Sequence, residues 1–264
     1  MTMPSSPRAK RNPFPTNWPS RIIWAALLAY LVYALSLIDI SGERVMAGLG
    51  HGANMLGRMV PPDFSRWSLL LEGLLESLEI AILASAVGIT LSLPIGFLAA
   101  RNMMPPWVSW PARTLIAICR SFHPVIVAII FVKAVGFGAL AGILALIVAS
   151  VGFIAKLFAE AIEEISLKQV EAVRATGAPF GNVIIFSVVP QVLSRFVGFS
   201  TYQVDSNLRN STMVGIVGAG GIGGTLFSAF QRFDYDFVAA ILISLIAVIM
   251  AGEYFSTWVK GVFK

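Results

Sequence analysis

Few residues of this chain could carry covalent or metal chemistry, and those few do not stand together. The two histidines, His51 and His123, lie far apart, and neither belongs to a His-Glu-x-x-His pattern. The one cysteine, Cys119, sits in an apolar segment, which excludes a disulfide within the chain and a thiolate metal site. No nucleophile, base and orienting residue can be set at one depth, so neither a catalytic nor a metal site is expected. What remains are groups suited to binding and docking. Arg120, Ser121 and His123 form one, because a guanidinium matches a tetrahedral oxyanion in charge and in the fork of its donors. A second reading stays open, with Arg120 reaching to water from its helix end and His123 a satisfied core histidine beside Pro124.

Ser200, Gln203, Asn207, Asn210 and Ser211 form a second group. At about 100° per residue they share one arc of a helix, and polar groups inside a membrane usually face a bundle interior or a water-filled cavity. They are candidate lining for a pathway. Asp205 and Arg209 fall on a nearly opposite face, where the carboxylate offsets the burial of the guanidinium; a structural pair is favoured, with Arg209 kept as a pathway candidate. Glu72, Glu76 and Glu79 share a face that reads as a hydrated helix end rather than a proton relay.

The segment Gly218-Ala219-Gly220-Gly221-Ile222-Gly223 satisfies the Gly-x-Gly-x-x-Gly fingerprint, yet nothing around it supplies the strand and parallel sheet that a dinucleotide site needs. It reads either as a plain turn or as a close-packed hinge made by Gly218, Gly220, Gly221 and Gly223. Gly-x-x-x-x-Gly-Lys-Ser/Thr does not occur, so ATP has to be bound by another chain. Lys168, Glu171 and Arg174 stand at three-residue steps, as on any solvated helix face. Gly177 can close that helix and Pro179 can start another, which makes a helix, turn and helix where a connector would suffice.

The elements that must position these groups are membrane helices. The chain has 264 residues, 57% hydrophobic and 12% charged, against about a quarter charged in soluble domains. Apolar runs near the length of about 20 residues that spans a bilayer recur between short polar breaks. The expected fold is all-α, a polytopic bundle of about six spans near 21–38, 68–100, 114–135, 140–158, 188–208 and 237–259. A Pro-rich tail over 1–20 is expected to be disordered in the cytosol, and the first span to be retained rather than cleaved as a signal peptide. Segment 21–67 holds that span and an amphipathic interfacial helix, and 68–264 holds the permeation domain with a cytosolic loop at 160–190. Lys and Arg gather in the tail, at Arg101, Arg113, Lys156, Lys168 and Arg174, and at Lys260 and Lys264, which places both termini in the cytoplasm. The net charge of +5 follows this topology; no basic stripe with interleaved aromatics points to nucleic acid.

The order Glu171-Ala172-Val173, then Gly177, then Pro190 resembles the cytoplasmic EAA loop of bacterial ABC-importer permeases, with the spacing complete and Val173, Ser187 and Val189 as mild departures. Pro61-Pro62-Asp63, Glu76-Ser77-Leu78, Ala99-Ala100-Arg101-Asn102, Arg120-Ser121, Val135-Gly136-Phe137-Gly138, the run 156–163, Asn207-Leu208-Arg209 and the glycine run 217–223 resemble the phosphonate branch of that family. It departs at Phe122-His123-Pro124, where relatives tend to read Ile-Pro-Glu, and at Tyr202-Gln203, where they carry Tyr-Arg. The resemblance implies an inner-membrane permease subunit that acts as a homodimer with two cytosolic ATPase subunits and a periplasmic or lipid-anchored binding protein. It implies that ATP and Mg sit on the ATPase, that no cofactor sits here, and that Glu171, Ala172, Arg174, Gly177 and Pro190 mark the docking loop. The implied cargo is phosphonate or another phosphorus oxyanion. Methionine or another small solute is the alternative, and a proton-coupled secondary transporter a more distant one.

Overall fold

The computed structural model describes residues 18–37 and 41–262. The expected tail falls outside the described residues up to position 17, as do Ile38, Arg8, Lys10, Arg11 and Lys264. All described elements are helical, with no strand among the described residues. Contacts divide the chain into two compact units, 1–54 and 55–264. The first holds α1 (Trp18–Leu37), whose mean hydropathy of 1.7 runs all round it, and most of α2 (Gly42–Arg58). Val45, Met46, Leu49 and Leu56 give α2 an apolar stripe between Gly- and charge-bearing turns, as an amphipathic helix requires.

The second unit carries α3 (Trp67–Ala99), α4 (Pro106–Ser121), α5 (Pro124–Val135), α6 (Ala139–Glu163), α7 (Leu167–Ala175), α8 (Phe180–Val183), α9 (Val189–Gly215), α10 (Ile222–Gln231) and α11 (Tyr235–Val262). At about 1.5 Å per residue, the 33 residues of α3 run about 50 Å, beyond the roughly 30 Å of bilayer hydrocarbon. Its glutamate-bearing first turns can therefore stand in water. The hub is α6, which packs on α3, α4, α5 and α9. Close approach of α3 to α6 needs a residue without a side chain: a Cβ on Gly88 would lie 2.5 Å from Cβ of Ser150. Ile80, Ala84, Val127, Leu146 and Val214 fill the middle of the unit, while Leu71, Leu75, Ile82, Ile243 and Ile246 point outward, as lipid-facing residues would.

One expected element changes shape. The single span expected over 114–135 is two helices, α4 and α5, bent by 90° at Phe122 and His123. Pro124, the first residue of α5, has no N–H to bond back into α4 and disfavours the helical region for the residue before it; His123 takes φ −68°, ψ 142° and Phe122 φ −113°, ψ 138°. The broken pair still runs the length of the unit. On α4, Arg113 donates from Nε to Ala99 O (2.8 Å) and pairs with Glu163, at the C-terminal ends of α3 and α6. After α5, the Gly138 N–H donates to Gly218 O (3.0 Å) at the opposite end. Five helical runs, α1, α3, α6, Phe180–Gly215 and α11, are long and apolar enough to cross a membrane, and the bent pair counted as one span is a sixth.

Each end of the second unit is tied by charge. At one, Glu163 accepts from the Arg101 N–H (2.8 Å) as well as from Arg113, and Asn102 Nδ2 donates to Ile162 O (2.7 Å). At the other, Arg66 pairs with Asp234 (2.7 Å) and Asp63 (3.6 Å) and lies 3.8 Å over the Phe237 ring. Arg58 donates to Phe233 O (2.9 Å) there. The Asp234 carboxyl is held below its usual range, first by the hydrogen bond from Arg66; that of Asp63 is lowered first by the Ser65 N–H and then by the Ser65 hydroxyl.

Candidate functional site

Helices α4, α6 and α9 bring Arg120, Gln203 and Asn210 to one open cleft of about 240 Å³, with Ser206, Tyr202, Cys119 and Phe153 among its other walls. Among the described residues, nothing hydrogen-bonds to or pairs with the Arg120 guanidinium. An unpaired cation beside the Asn210 amide and the Ser206 hydroxyl suits a small anion and disfavours a cation; the Gln203 amide hydrogens are already given to Ser150 and Asn207.

The polar arc on α9 divides at Gln203. Gln203, Ser206 and Asn210, at i, i+3 and i+7, border the cleft. Gln203, Asn207 and Ser211, at i, i+4 and i+8, turn inward and are buried at 4%, 0% and 0% exposure. Asn207 Nδ2 donates to Ser85 Oγ (2.9 Å) and Ser150 Oγ (2.8 Å), and Gln203 Nε2 donates to Ser150 Oγ (3.0 Å) and Asn207 Oδ1 (2.9 Å). The inner ridge thus clamps α3, α6 and α9 together. Ser211 donates to Leu208 O (2.7 Å) of its own helix.

The remaining candidates stand apart from the cleft. Ser200 borders a separate, mostly apolar cavity of about 280 Å³ against α11, together with Asp205 and Ser256. Arg209 is exposed and paired with Asp205 at 2.7 Å. Ser121 donates to Ala117 O (2.8 Å) on its own helix, and His123 caps α5, its Nδ1 accepting from the Val125 N–H at 3.3 Å. Ser206 is a hydroxyl on the cleft that sequence reasoning passed over, as it did Cys119, Phe153 and Tyr202. Its signal was present, since it is the i+3 member of the ridge that carries Gln203 and Asn210. Among the described residues, no three His, Cys, Asp or Glu side chains gather as metal ligands would.

The glycine run forms the turn from α9 into α10, with φ of 85°, 82° and 79° at Gly218, Gly220 and Gly221, a region that glycine occupies freely. It is wedged against the starts of α3 and α6. The Ile222 N–H donates to Ser77 Oγ (2.9 Å), and a Cβ on Gly220 would lie 2.7 Å from the Ala139 backbone. At Gly223 it would lie 1.9 Å from Thr212 O.

At the opposite end, α7 forms an exposed knuckle. Val170 is 2% exposed and anchors it among Phe158, Ile162, Val183 and Val192, leaving Glu171, Ala172 and Arg174 on the outside. Gly177 (φ 76°) ends the helix, and Pro179 leads into α8. The five residues Ile184–Val188 then form a π turn, where the Val189 N–H reaches Ile184 O. Pro190 has no N–H for an α-helical bond and its ring crowds the carbonyl four residues back, which favours this wider turn. Gln191 pins the knuckle to α9, accepting from the Ser166 N–H (2.9 Å) and donating to Ser187 O (2.7 Å); Arg195 pairs with Glu164 (2.5 Å).

Residues 92–263 match the model of the family described as "Binding-protein-dependent transport system inner membrane component". The chain is 39% identical over 237 residues to the phosphate-import permease protein PhnE of Mycolicibacterium smegmatis, covering 89% of this chain but only 44% of that protein. It is 42% identical over 244 residues to the phosphite transport system permease protein PtxC of Stutzerimonas stutzeri, covering 92% of this chain and 88% of that protein. Among solved structures it is similar to a chain of the MetNI methionine ABC transporter in an inward-facing crystal form, with TM-score 0.69, 23% identity, and coverage of 76% of this chain and 99% of that one.

Proposed function

Because the chain belongs to the family of binding-protein-dependent transport system inner membrane components, we propose that it is the membrane-spanning subunit of an ATP-driven importer for phosphonate, phosphite, hypophosphite or phosphate. The observation that carries the cargo is the Arg120 guanidinium, without a partner among the described residues, lining the same cleft as Ser206 and Asn210. The phosphate-import and phosphite-transport names of the two bacterial relatives point the same way.

In this reading two copies of the chain enclose the pathway, with both termini and α7 on the cytoplasmic side of the bacterial inner membrane. A binding protein delivers the anion to the end that carries the glycine turn. Each α7 seats in a separate ATPase subunit, which binds ATP and Mg, with Glu171, Ala172, Arg174 and Gly177 at the contact and Pro190 setting the turn behind it. ATP draws the ATPase subunits together, α7 moves with them, and α9 follows through Gln191 and Arg195. The cleft then faces first one side and then the other, gated at Gly218, Gly220, Gly221 and Gly223. Ser121, His123, Ser200, Asn207, Arg209 and Ser211 serve this cycle by shaping and packing the helices that carry the cleft.

Uptake in cells that depend on this chain, its ATPase and its binding protein tests the reading. Labelled phosphite or phosphonate should enter, entry should stop when ATP is depleted, and excess methionine should not compete. Entry that survives ATP depletion would identify a secondary transporter, and competition by methionine would reassign the cargo.

A further inference from the structure

Arg120 borders two cavities. Beyond the cleft it shares with Gln203 and Asn210, it also lines a second, smaller cavity of about 150 Å³ with Arg113 and Lys156. Three of the seven residues lining this second cavity are cations and none is acidic; the others are Ile116 and small alanines. The carboxylates that pair with Lys156 and Arg113 lie outside it. Lys156 pairs with Glu160 at 2.6 Å, and Arg113 with Glu163 and Ala99 O. Both keep donors to spare, since an ammonium and a guanidinium each carry more N–H groups than these contacts use. At roughly 30 Å³ per water, the space equals about five waters, room for a small tetrahedral anion with part of its hydration.

Resting on the reading of the chain as an oxyanion importer, we infer that the second cavity is a separate oxyanion station on the α7 side, in which Lys156 and Arg113 take the anion over from Arg120. Arg120 is the common wall, so the anion need never leave one cation before meeting the next. Gly152 sets that wall: a Cβ there would lie 2.9 Å from Cγ of Arg120, so the bare α6 backbone lets the stem of Arg120 lie flat between the cavities. Release toward the cytoplasm is the step this station serves. Its loss should lower the maximal rate while leaving the half-saturating concentration, set at the Arg120 cleft and by the binding protein, nearly unchanged.

The test is uptake of labelled phosphite by the reconstituted complex of chain, ATPase and binding protein, at matched amounts of protein. Lys156→Met should lower the maximal rate at least tenfold with half-saturation within twofold of wild type, and Lys156→Arg should restore it. Glu160→Gln removes the ion pair but keeps the cation, and should stay within twofold of wild type. Ala117→Leu, which fills the cavity without changing charge, should lower the rate as Lys156→Met does. A normal rate in both Lys156→Met and Ala117→Leu would overturn the inference, as would equal losses in Glu160→Gln and Lys156→Met, which would make the pair merely structural. A Lys156→Met deficit confined to vesicles containing phosphatidylglycerol, and missing in pure phosphatidylcholine, would overturn it in favour of a lipid-phosphate site. Failure of the wild-type complex to take up phosphite or phosphonate would instead overturn the importer reading itself, and this station with it.

Discussion

Asn207 and Asn210 stand three residues apart on one helix and have opposite surroundings. Asn207 is fully buried and bonds to Ser85, Ser150 and Gln203; Asn210 borders the cleft, with its Nδ2 3.4 Å from Ser206 Oγ. Replacing Asn207 by Leu strands buried hydroxyl and amide partners, each worth about 1–2 kcal/mol between membrane helices. Asn207→Leu should therefore lower the thermal unfolding temperature of the purified chain by several degrees. Asn210→Leu should leave it within a degree or so and instead weaken phosphite uptake. The reverse pattern would place Asn207, not Asn210, on the pathway. The sequence makes the polar arc legible but not its division, because the i+3 and i+4 ridges diverge by only about 100° around the axis. Which ridge is buried depends on where Ser85 and Ser150 arrive from other helices, and no local pattern encodes that. Arg120 was legible as an anion group from its type alone; its lack of a partner was not.

Among the elements, α7 and its turn follow almost directly from the residues. Gly177 supplies a positive φ and Pro179 an extended lead-in, so the helix, turn and helix were readable in outline. The bend between α4 and α5 was readable only as a proline in an apolar run, since its 90° depends on what each half packs against. Glu171→Ala should reduce ATP-driven uptake at least tenfold with normal membrane insertion, and Gly177→Val should do the same, because a branched residue resists positive φ. Normal uptake in both, where this chain limits the rate, would remove α7 from the docking surface. At the other end, Arg66, Asp63 and Asp234 tie the segment before α3 to the start of α11. Both carboxyls have lowered folded values, so their contribution is present above the ordinary carboxylate range and is lost as pH falls through the lowered values. The Asp63 N–H, bonded to Asp236 O at 3.0 Å, should lose hydrogen-exchange protection on acidification below that range while amides in α6 keep theirs. Simultaneous loss in α6 would mean that the knot is not a local latch.

On the scale of the whole molecule, the second unit is an apolar bundle with α7 exposed at one end and a glycine-packed turn at the other, the arrangement that the proposed coupling of its two ends requires. The all-α class and the number of crossings are legible in composition and run length, because a bilayer admits few alternatives. The cleft is not, since it exists only where α4, α6 and α9 converge from distant parts of the chain. Its chemistry, a guanidinium with no partner among the described residues beside Ser206 and Asn210, is the observation on which the proposed oxyanion cargo rests. The most direct measurement is ATP hydrolysis by the purified complex of this chain, its ATPase and its loaded binding protein in lipid nanodiscs. Phosphite or another phosphorus oxyanion should stimulate hydrolysis severalfold, and Arg120→Gln should abolish that stimulation while basal hydrolysis persists. Stimulation by methionine instead, or full oxyanion stimulation in Arg120→Gln, would contradict the assignment of the cleft to a phosphorus oxyanion.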